Sequence, residues 1–324
     1  MLYLLVGVEV EACNRRAATP QLEQASGIIA ALTVLHTLLR KWRARPTYLV
    51  TYSAATNPHA ASMLRDMREG RDCEIGAYHQ TWETPPCSDE DVRRRPYARE
   101  LGLDQFAAQI TSLTDAIATA VGERPLSYRS GRFGFSASHV YDLERAGYRI
   151  DSSVVPYLHE GRAGGPGFVG APATPYFLAY DDPATPGTSN LLEIPVSAAL
   201  NRRVPAVVER AYGRVPWPGT RSLLERLGLA RVQVLRPFSA TLADMRALAR
   251  RMKRDGVPVV NLVLNSSETA LGANAGVRSP QEIERLLSRL DDVLAYTVND
   301  LGAVPVTFSE FRALYCGAQG APSS

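Results

Sequence analysis

Residues 1–11 have the sequence MLYLLVGVEVE, an apolar run that ends in two glutamates. A short run rich in Leu and Val is typical of a strand that is buried on both faces of a sheet. The stretch from Gln21 to Arg43 then carries Leu, Ile and Ala residues at helical spacing. The chain therefore begins with a buried strand and an amphipathic helix, and Glu9 and Glu11 lie at the carboxyl end of the strand.

The alternation of strand and helix continues along the chain. After Leu2–Val8, strands are predicted at Thr47–Thr51, Cys73–Tyr78, Leu126–Arg129, Leu191–Val196, Val257–Leu264 and Val304–Phe308. Helices are predicted at Gln21–Arg43, Pro58–Glu69, Asp104–Val121, Ser136–Ala146, Leu242–Asp255 and Pro280–Leu301. Such alternation is typical of an α/β protein with a parallel sheet and crossover helices.

The number of predicted strands favours a distorted (β/α) barrel of seven or eight strands over an open sheet. We expect one domain over residues 1–316 and a disordered tail over residues 317–324. The Gly- and Pro-rich stretch Gly161–Thr188 is predicted to be a loop or insertion. In a barrel, the chemistry lies at the carboxyl ends of the strands.

Composition excludes several classes of protein. The 324 residues are 45% hydrophobic and 21% charged, which is ordinary for a globular chain, and Ala- and Arg-rich usage is typical of a GC-rich bacterial genome. A net charge of +3 with one cluster, Arg93–Arg95, does not indicate a nucleic-acid partner. The first apolar run has no basic residues before it and ends at the charged Glu9, so it matches neither a secretory signal peptide nor a membrane-spanning helix. We therefore expect a cytoplasmic protein without membrane association.

Eight short motifs of the chain occur in a characteristic order. They are Val8-Glu9-Val10-Glu11, Thr47-Tyr48-Leu49-Val50, Glu74-Ile75-Gly76-Ala77, Thr84-Pro85-Pro86, Tyr128-Arg129-Ser130-Gly131-Arg132, Asp151-Ser152-Ser153-Val154, Leu192-Glu193-Ile194-Pro195 and Ser266-Ser267-Glu268. Together they resemble the polysaccharide deacetylase family, also called carbohydrate esterase family 4 or the NodB-homology domain. The resemblance extends over residues 3 to 312.

The resemblance implies a distorted (β/α) barrel that removes acetyl groups from N-acetylated sugars. Usual members of the family bind a divalent metal through one aspartate and two histidines, and use a second aspartate as base and a further histidine as acid. Such a metal polarises the amide carbonyl and activates water.

This sequence departs from the family pattern at the histidines. Tyr78 and Trp82 stand at two of those positions, Gln80 replaces a histidine found in some relatives, and Asn265 replaces the last one. His79 remains, but a shift of one residue along a strand turns a side chain to the opposite face. We therefore expect no bound metal and no other cofactor, although the carboxylates do not exclude binding of a divalent ion.

Other motif positions keep the residue types of the family. Glu9 stands at the position of the base and is expected to be the main one, and Glu11 lies on the same face of the strand. By resemblance, Arg129 orients the base and Asp151 supports that arginine, and Asn265 replaces the acid with a neutral donor. The candidates for substrate binding are Tyr78, His79, Trp82, Arg132, His159 and Glu268.

Three hypotheses for the function remain open. The first is a metal-independent hydrolase of a C–N bond in an N-acetylated sugar or small amide. The second is acid–base chemistry, as in a lyase, isomerase or cyclase, and the third is a non-catalytic protein that binds carbohydrate. Each implies a small-molecule or carbohydrate partner and leaves the oligomeric state open.

Overall fold

A computed structural model describes residues 1–12, 21–88, 97–159, 165–200, 231–273 and 276–319, and most of its strands form one curled sheet. The strands are β1 (Tyr3–Val10), β2 (Thr47–Val50), β3 (Glu74–His79), β4 (Ser127–Ser130), β5 (Ile150–Asp151), β6 (Tyr176–Phe177), β7 (Leu192–Glu193), β8 (Ala198–Leu200), β9 (Val232–Val234), β10 (Val259–Asn265) and β11 (Val304–Pro305).

The sheet is ordered β10-β1-β2-β3-β4-β5-β7-β6, and β11 pairs with the beginning of β1. All neighbours are parallel except β6, which is antiparallel to β7. Beyond β7 the backbone crosses towards β10, where the amide of Ser197 donates to the carbonyl of Asn261 at 3.1 Å. The architecture is the distorted (β/α) barrel that the sequence predicted, and the barrel closes irregularly between β7 and β10.

The helices cover the outer face of the sheet or its ends. They are α1 (Gln21–Lys41), α2 (Tyr52–Thr56), α3 (Pro58–Glu69), α4 (Leu103–Val121), α5 (Val140–Ala146), α6 (Leu242–Arg254), α7 (Pro280–Ala295) and α8 (Phe308–Gln319). Side-chain caps define where α2, α3 and α6 begin: Thr51 accepts from the amide of Ala54, Asn57 from those of His59 and Ala60, and Thr241 from that of Asp244. No described helix is both long and apolar enough to span a membrane.

Helix α8 was not predicted, because the sequence analysis extended the last strand to Phe308. The strand ends at Pro305, and the helix packs across the amino-terminal end of the barrel with Phe308 against Gly7. Glu74 holds its first turn by accepting from the amide of Ser309 at 2.8 Å. The helix continues to Gln319 and so includes the first three residues of the expected tail, whereas residues 320–324 lie outside the described residues.

Two histidines are buried together behind the sheet. The ring of His79 contacts the Tyr128 hydroxyl at 3.1 Å and the Gln109 amide oxygen at 2.7 Å. His139 stacks on Phe106 with centroids 3.8 Å apart, and neither of its ring nitrogens has a partner among the described residues. Burial lowers the pKa of His79 to about 4 and that of His139 to about 3.

Replacing His139 with Phe should stabilise the fold. The substitution keeps the stack on Phe106 and removes two buried nitrogens that lack partners, which is worth about 1–2 kcal/mol in the free energy of unfolding. Because folding lowers the pKa of His139 from 6.5 to about 3, the unfolded chain takes up this proton first, and the parent loses stability as the pH falls between those values. Denaturant titrations at several pH values measure both effects.

The variant should therefore lose less stability than the parent between pH 7 and pH 4. His59, which is exposed on α3, provides the control, since His59→Gln should leave the acid dependence unchanged. Equal stability losses on acidification in the parent and in His139→Phe would contradict this account.

Candidate active site

Two glutamates meet one asparagine at the carboxyl end of the barrel. Glu9 lies opposite Asn265 in the register of β1 and β10, and Glu11 follows two residues later on the same face. The Asn265 amide nitrogen lies 3.2 Å from an oxygen of Glu9 and 3.2 Å from an oxygen of Glu11. One amide group therefore joins the two carboxylates.

The orientation of that amide is fixed from its other side. Asn265 Oδ1 accepts from the backbone amide of Ser267 at 2.9 Å and from its hydroxyl at 2.7 Å. With the oxygen committed to these donors, the nitrogen must point at the carboxylates. Glu268 accepts from the backbone amide of Asn265 at 3.2 Å, so the turn after β10 holds the side chain in place.

Glu11 is the carboxyl group that is poised for proton transfer. It is half-buried, and Gln80 donates to it at 2.6 Å. Loss of solvation, followed by the charge of Glu9, raises its pKa to about 7 despite the hydrogen bonds from Asn265 and Gln80. At neutral pH this group both accepts and donates a proton readily.

Glu9 is more deeply held, with 4% of its surface exposed. Its second oxygen lies 3.4 Å from Nη1 of the fully buried Arg129. A Cβ at Gly7 would lie 2.9 Å from the same guanidinium, so glycine is needed there for the arginine to cross β1. Arg129, which the resemblance implies orients the base, therefore reaches Glu9 through this one contact.

The resemblance implies that Asp151 supports Arg129, but the two side chains form no direct ion pair, and the charge of the arginine acts on Asp151 only at longer range. It pairs in register with Tyr128, so its side chain lies on the outer face of the sheet, whereas Arg129 points into the barrel. The partner of Arg129 is Ser152, whose carbonyl accepts from Nε at 2.7 Å and whose hydroxyl accepts from Nη2 at 2.9 Å. Asp151 thus lies outside the cleft.

Asp151 instead faces Glu193, its partner in the register of β5 and β7. Both are fully buried, and Asp151 Oδ2 and Glu193 Oε2 have no donor among the described residues. Burial and, for Glu193, the charge of Asp151 raise both pKa values. Two acceptors that meet in this way are satisfied when they share one proton.

Tyr78 lies in the cleft, on the inner face of β3 beside Arg129. Burial and then the charges of Glu9 and Glu11 raise its pKa well above the ordinary value, so the hydroxyl keeps its proton. No hydrogen bond of this hydroxyl is formed within the described ranges, which leaves its proton available to a ligand. His79, one residue later, faces the core, so the structure does not bring this predicted substrate-binding residue together with the glutamates.

Arg236 is a cleft residue that the sequence analysis missed. Its Nε donates to Glu268 at 2.9 Å, and its charge also acts on Glu9 and Tyr78. Glu268 is therefore engaged in holding Arg236 and capping the turn, which differs from its predicted role in binding substrate. Arg236 follows the short strand β9, and no motif quoted above contains it.

The remaining candidates lie around the mouth of the cleft or away from it. The Arg132 guanidinium stacks over the half-buried indole of Trp82, 5.0 Å from its ring centroid. His159 is exposed, its backbone forms a bridge with Gly167, and no hydrogen bond joins its ring to the glutamates in the described part of the chain. The structure thus brings Trp82 and Arg132 together and leaves His159 on the surface.

The residues at the cleft do not fit the divalent metal that the resemblance implies. The described residues contain no group of three or more His, Cys, Asp or Glu side chains that could hold a metal ion. By the resemblance, Tyr78, Trp82 and Asn265 stand at positions where imidazoles are expected, and a protonated phenol, an indole or a neutral amide is a poor ligand for zinc. The two glutamates are joined by hydrogen bonds instead.

Comparison with known proteins identifies the fold. No family model matches the sequence, and no curated protein matches it. A candidate polysaccharide deacetylase from Mycobacterium smegmatis is similar over 99% of this chain and 92% of its own, with a TM-score of 0.53 and 18% identity.

Two further structures are similar over 97% of this chain and 71% of their own. A candidate glycoside hydrolase or deacetylase from Parabacteroides distasonis has a TM-score of 0.65 at 11% identity. A glycoside hydrolase family 57 branching enzyme from Thermococcus kodakaraensis, in complex with glucose, has a TM-score of 0.54 at 12% identity. At these identities the similarity shows the fold, and it confirms the barrel of the deacetylase type that the motifs implied.

Replacing Asp151 with Asn should change how stability depends on pH. Because folding raises the pKa of this carboxyl, the folded chain keeps a proton that the unfolded chain releases, so the parent loses stability as the pH rises above the ordinary carboxyl range. Each pKa unit of difference corresponds to about 1.4 kcal/mol. The amide donates to Glu193 without needing a proton, so denaturant titrations at pH 5 and pH 8 should show a smaller loss in the variant.

The exposed Asp115, which pairs with Arg124, offers a matched control. Asp115→Asn should keep the parental loss of stability between the two pH values. A parental loss in Asp151→Asn as well would show that the two buried carboxyls do not share a proton.

Proposed function

We propose that the protein is a metal-independent hydrolase that cleaves the C–N bond of an N-acetylated sugar or a related small amide. The observation that carries this proposal is Glu11, a half-buried carboxyl with a pKa of about 7 beside a second carboxylate and at the carboxyl end of the barrel strands. Carboxyl groups with a pKa near the working pH are effective general acids and bases.

Glu11 is the base in this proposal, and Glu9 has a supporting role. Glu9 is buried and engaged by Arg129 and Asn265, whereas Glu11 is accessible from the cleft. The negative charge of Glu9 helps to keep the pKa of Glu11 raised. The order of the two roles is therefore the reverse of the expectation from the sequence.

Two cleft donors suit the negative charge that develops on an amide oxygen under attack. The Tyr78 hydroxyl carries a proton that no described residue accepts, and the Arg236 guanidinium lies near it. Fixed donors aimed at a developing oxyanion are commonly the largest contribution to catalysis of acyl transfer. This pair suits the oxyanion of amide hydrolysis.

The reaction proceeds in two proton transfers at Glu11. The Glu11 carboxylate accepts a proton from water as the water oxygen bonds to the carbonyl carbon, and negative charge moves to the carbonyl oxygen. When the carbonyl reforms and the C–N bond breaks, Glu11 returns the proton to the departing nitrogen, and the products are an amine and a carboxylic acid, which then loses its proton to solvent. These two proton transfers need no metal ion, which agrees with a cleft whose side chains are poor metal ligands.

The substrate class is supported by the cleft and by the similar structures. Trp82 presents an aromatic ring near the mouth, a side chain that suits the apolar face of a sugar ring. The similar proteins from Mycobacterium smegmatis and Parabacteroides distasonis are described as deacetylases or glycoside hydrolases.

Glu11→Gln should abolish most of the turnover of an N-acetylated sugar oligomer while the fold is kept. Loss of a general base costs about 10²–10⁴-fold in rate, and kcat for the release of acetate measures it. In the parent, kcat/KM should fall as the pH drops below about 7, because protonated Glu11 cannot accept a proton from water.

The controls separate this reaction from one that uses a metal. Activity of the parent should persist after exhaustive treatment with a chelator and should not rise with added zinc. Glu310→Gln, at a glutamate on α8 that pairs with Arg45, serves as a matched substitution away from the cleft. Turnover of Glu11→Gln within about twofold of the parent, or strict dependence on added metal, would refute the proposal.

A further inference from the structure

Arg132 is a cation at the mouth of the cleft that has no acidic partner within the described residues. Arg129 contacts Glu9, and Arg236 contacts Glu268, so the two other arginines of the cleft are paired. The Arg132 side chain forms neither an ion pair nor a hydrogen bond in the described ranges, and it stacks over Trp82. Stacking on an indole leaves the N–H groups of a guanidinium free to bind a ligand.

The backbone holds Arg132 in this place at a conformational cost. Arg132 has a φ of 54° and Phe133 a φ of 56°, so two successive residues with side chains occupy the left-handed region. Such backbone is uncommon outside glycine, and observed cases concentrate at functional sites. Phe133 is fixed in turn by the Arg129 guanidinium, which lies 5.9 Å from its ring centroid.

The same turn lies beside the proposed catalytic group. A Cβ at Gly131 would lie 2.7 Å from the His79 carbonyl and 3.4 Å from Gln80, so the turn packs closely on the end of β3. Gln80 donates to Glu11 at 2.6 Å. The turn that carries Arg132 therefore packs against the strand end that carries Gln80, the hydrogen-bond partner of Glu11.

We propose that Arg132 and Trp82 form a subsite for the carboxylate of an acidic sugar, so that the substrate is an N-acetylated sugar that also carries a carboxylate. A guanidinium binds a carboxylate through two parallel hydrogen bonds, which a lysine cannot reproduce. The carboxylate binds at the mouth, away from Glu9 and Glu11, where like charges would repel it. This inference rests on the proposed function and specifies its substrate class.

Binding of two matched sugars tests the subsite without any turnover. N-acetylmuramic acid differs from N-acetylglucosamine by a lactyl group with a carboxylate, and isothermal titration at low ionic strength measures both dissociation constants. We expect the parent to bind the acidic sugar at least about tenfold more tightly, the difference that one charge-assisted contact supplies. Added salt should weaken this preference, because the guanidinium is partly exposed.

Three variants identify the origin of the preference. Arg132→Asn should remove it while keeping the fold, since Asn tolerates left-handed backbone, and Arg132→Lys should retain only part of it. Arg145, which lies 5.6 Å over the ring of Tyr141 on the exposed side of α5, is the control, and Arg145→Asn should leave the preference unchanged.

Equal affinity of the parent for the two sugars, or an unchanged preference in a folded Arg132→Asn, would overturn the subsite. The outcome is independent of the proposed reaction, because Glu11→Gln should retain the preference while losing turnover. If the preference depends on Arg132 and yet Glu11→Gln turns over normally, the subsite stands and the proposed mechanism fails.

Discussion

The cleft depends on one constraint, which is that two carboxylates of like charge lie on the same face at the end of one strand. A period of two residues brings Glu9 and Glu11 together, and their repulsion must be offset within a partly buried space. The structure offsets it with the Asn265 amide, which contacts both groups at 3.2 Å and is itself oriented by Ser267. The second negative charge is further relieved because the pKa of Glu11 is raised to about 7.

The pleat of the sheet directs alternate side chains either into the cleft or into the core. Tyr78 and Arg129 are neighbours in register and point into the barrel, beside the glutamates. His79 and Asp151 belong to the alternate positions, where helices and loops exclude water and where each residue has a buried partner. Residues that are adjacent in the sequence thus serve either the cleft or the core, and the parity of their position in the strand decides which.

The three arginines of the cleft differ in burial and in whether they have an acidic partner. Arg129 is fully buried against Glu9 and Ser152, and Arg236 is half-buried against Glu268, so both of these charges are neutralised within the protein. Arg132 stacks over the Trp82 ring and forms no ion pair within the described residues. Hydrogen bonds from Gln80 and Asn265, together with the guanidinium group of Arg129, supply the polar interactions around the two carboxylates.

The order of strands and helices, and with it the barrel, could be predicted from the amino-acid sequence, because apolar periodicity reflects which face of each element is buried. Strand periodicity also placed Glu9 and Glu11 on one face. It did not determine helix α8, since Phe308 continues an apolar strand pattern and the helix depends on Glu74, distant in the chain, to hold its first turn. Only the tertiary structure decided that Arg236 reaches the cleft and that Glu11 has the raised pKa, because both follow from groups that lie far apart in sequence and meet when the sheet closes.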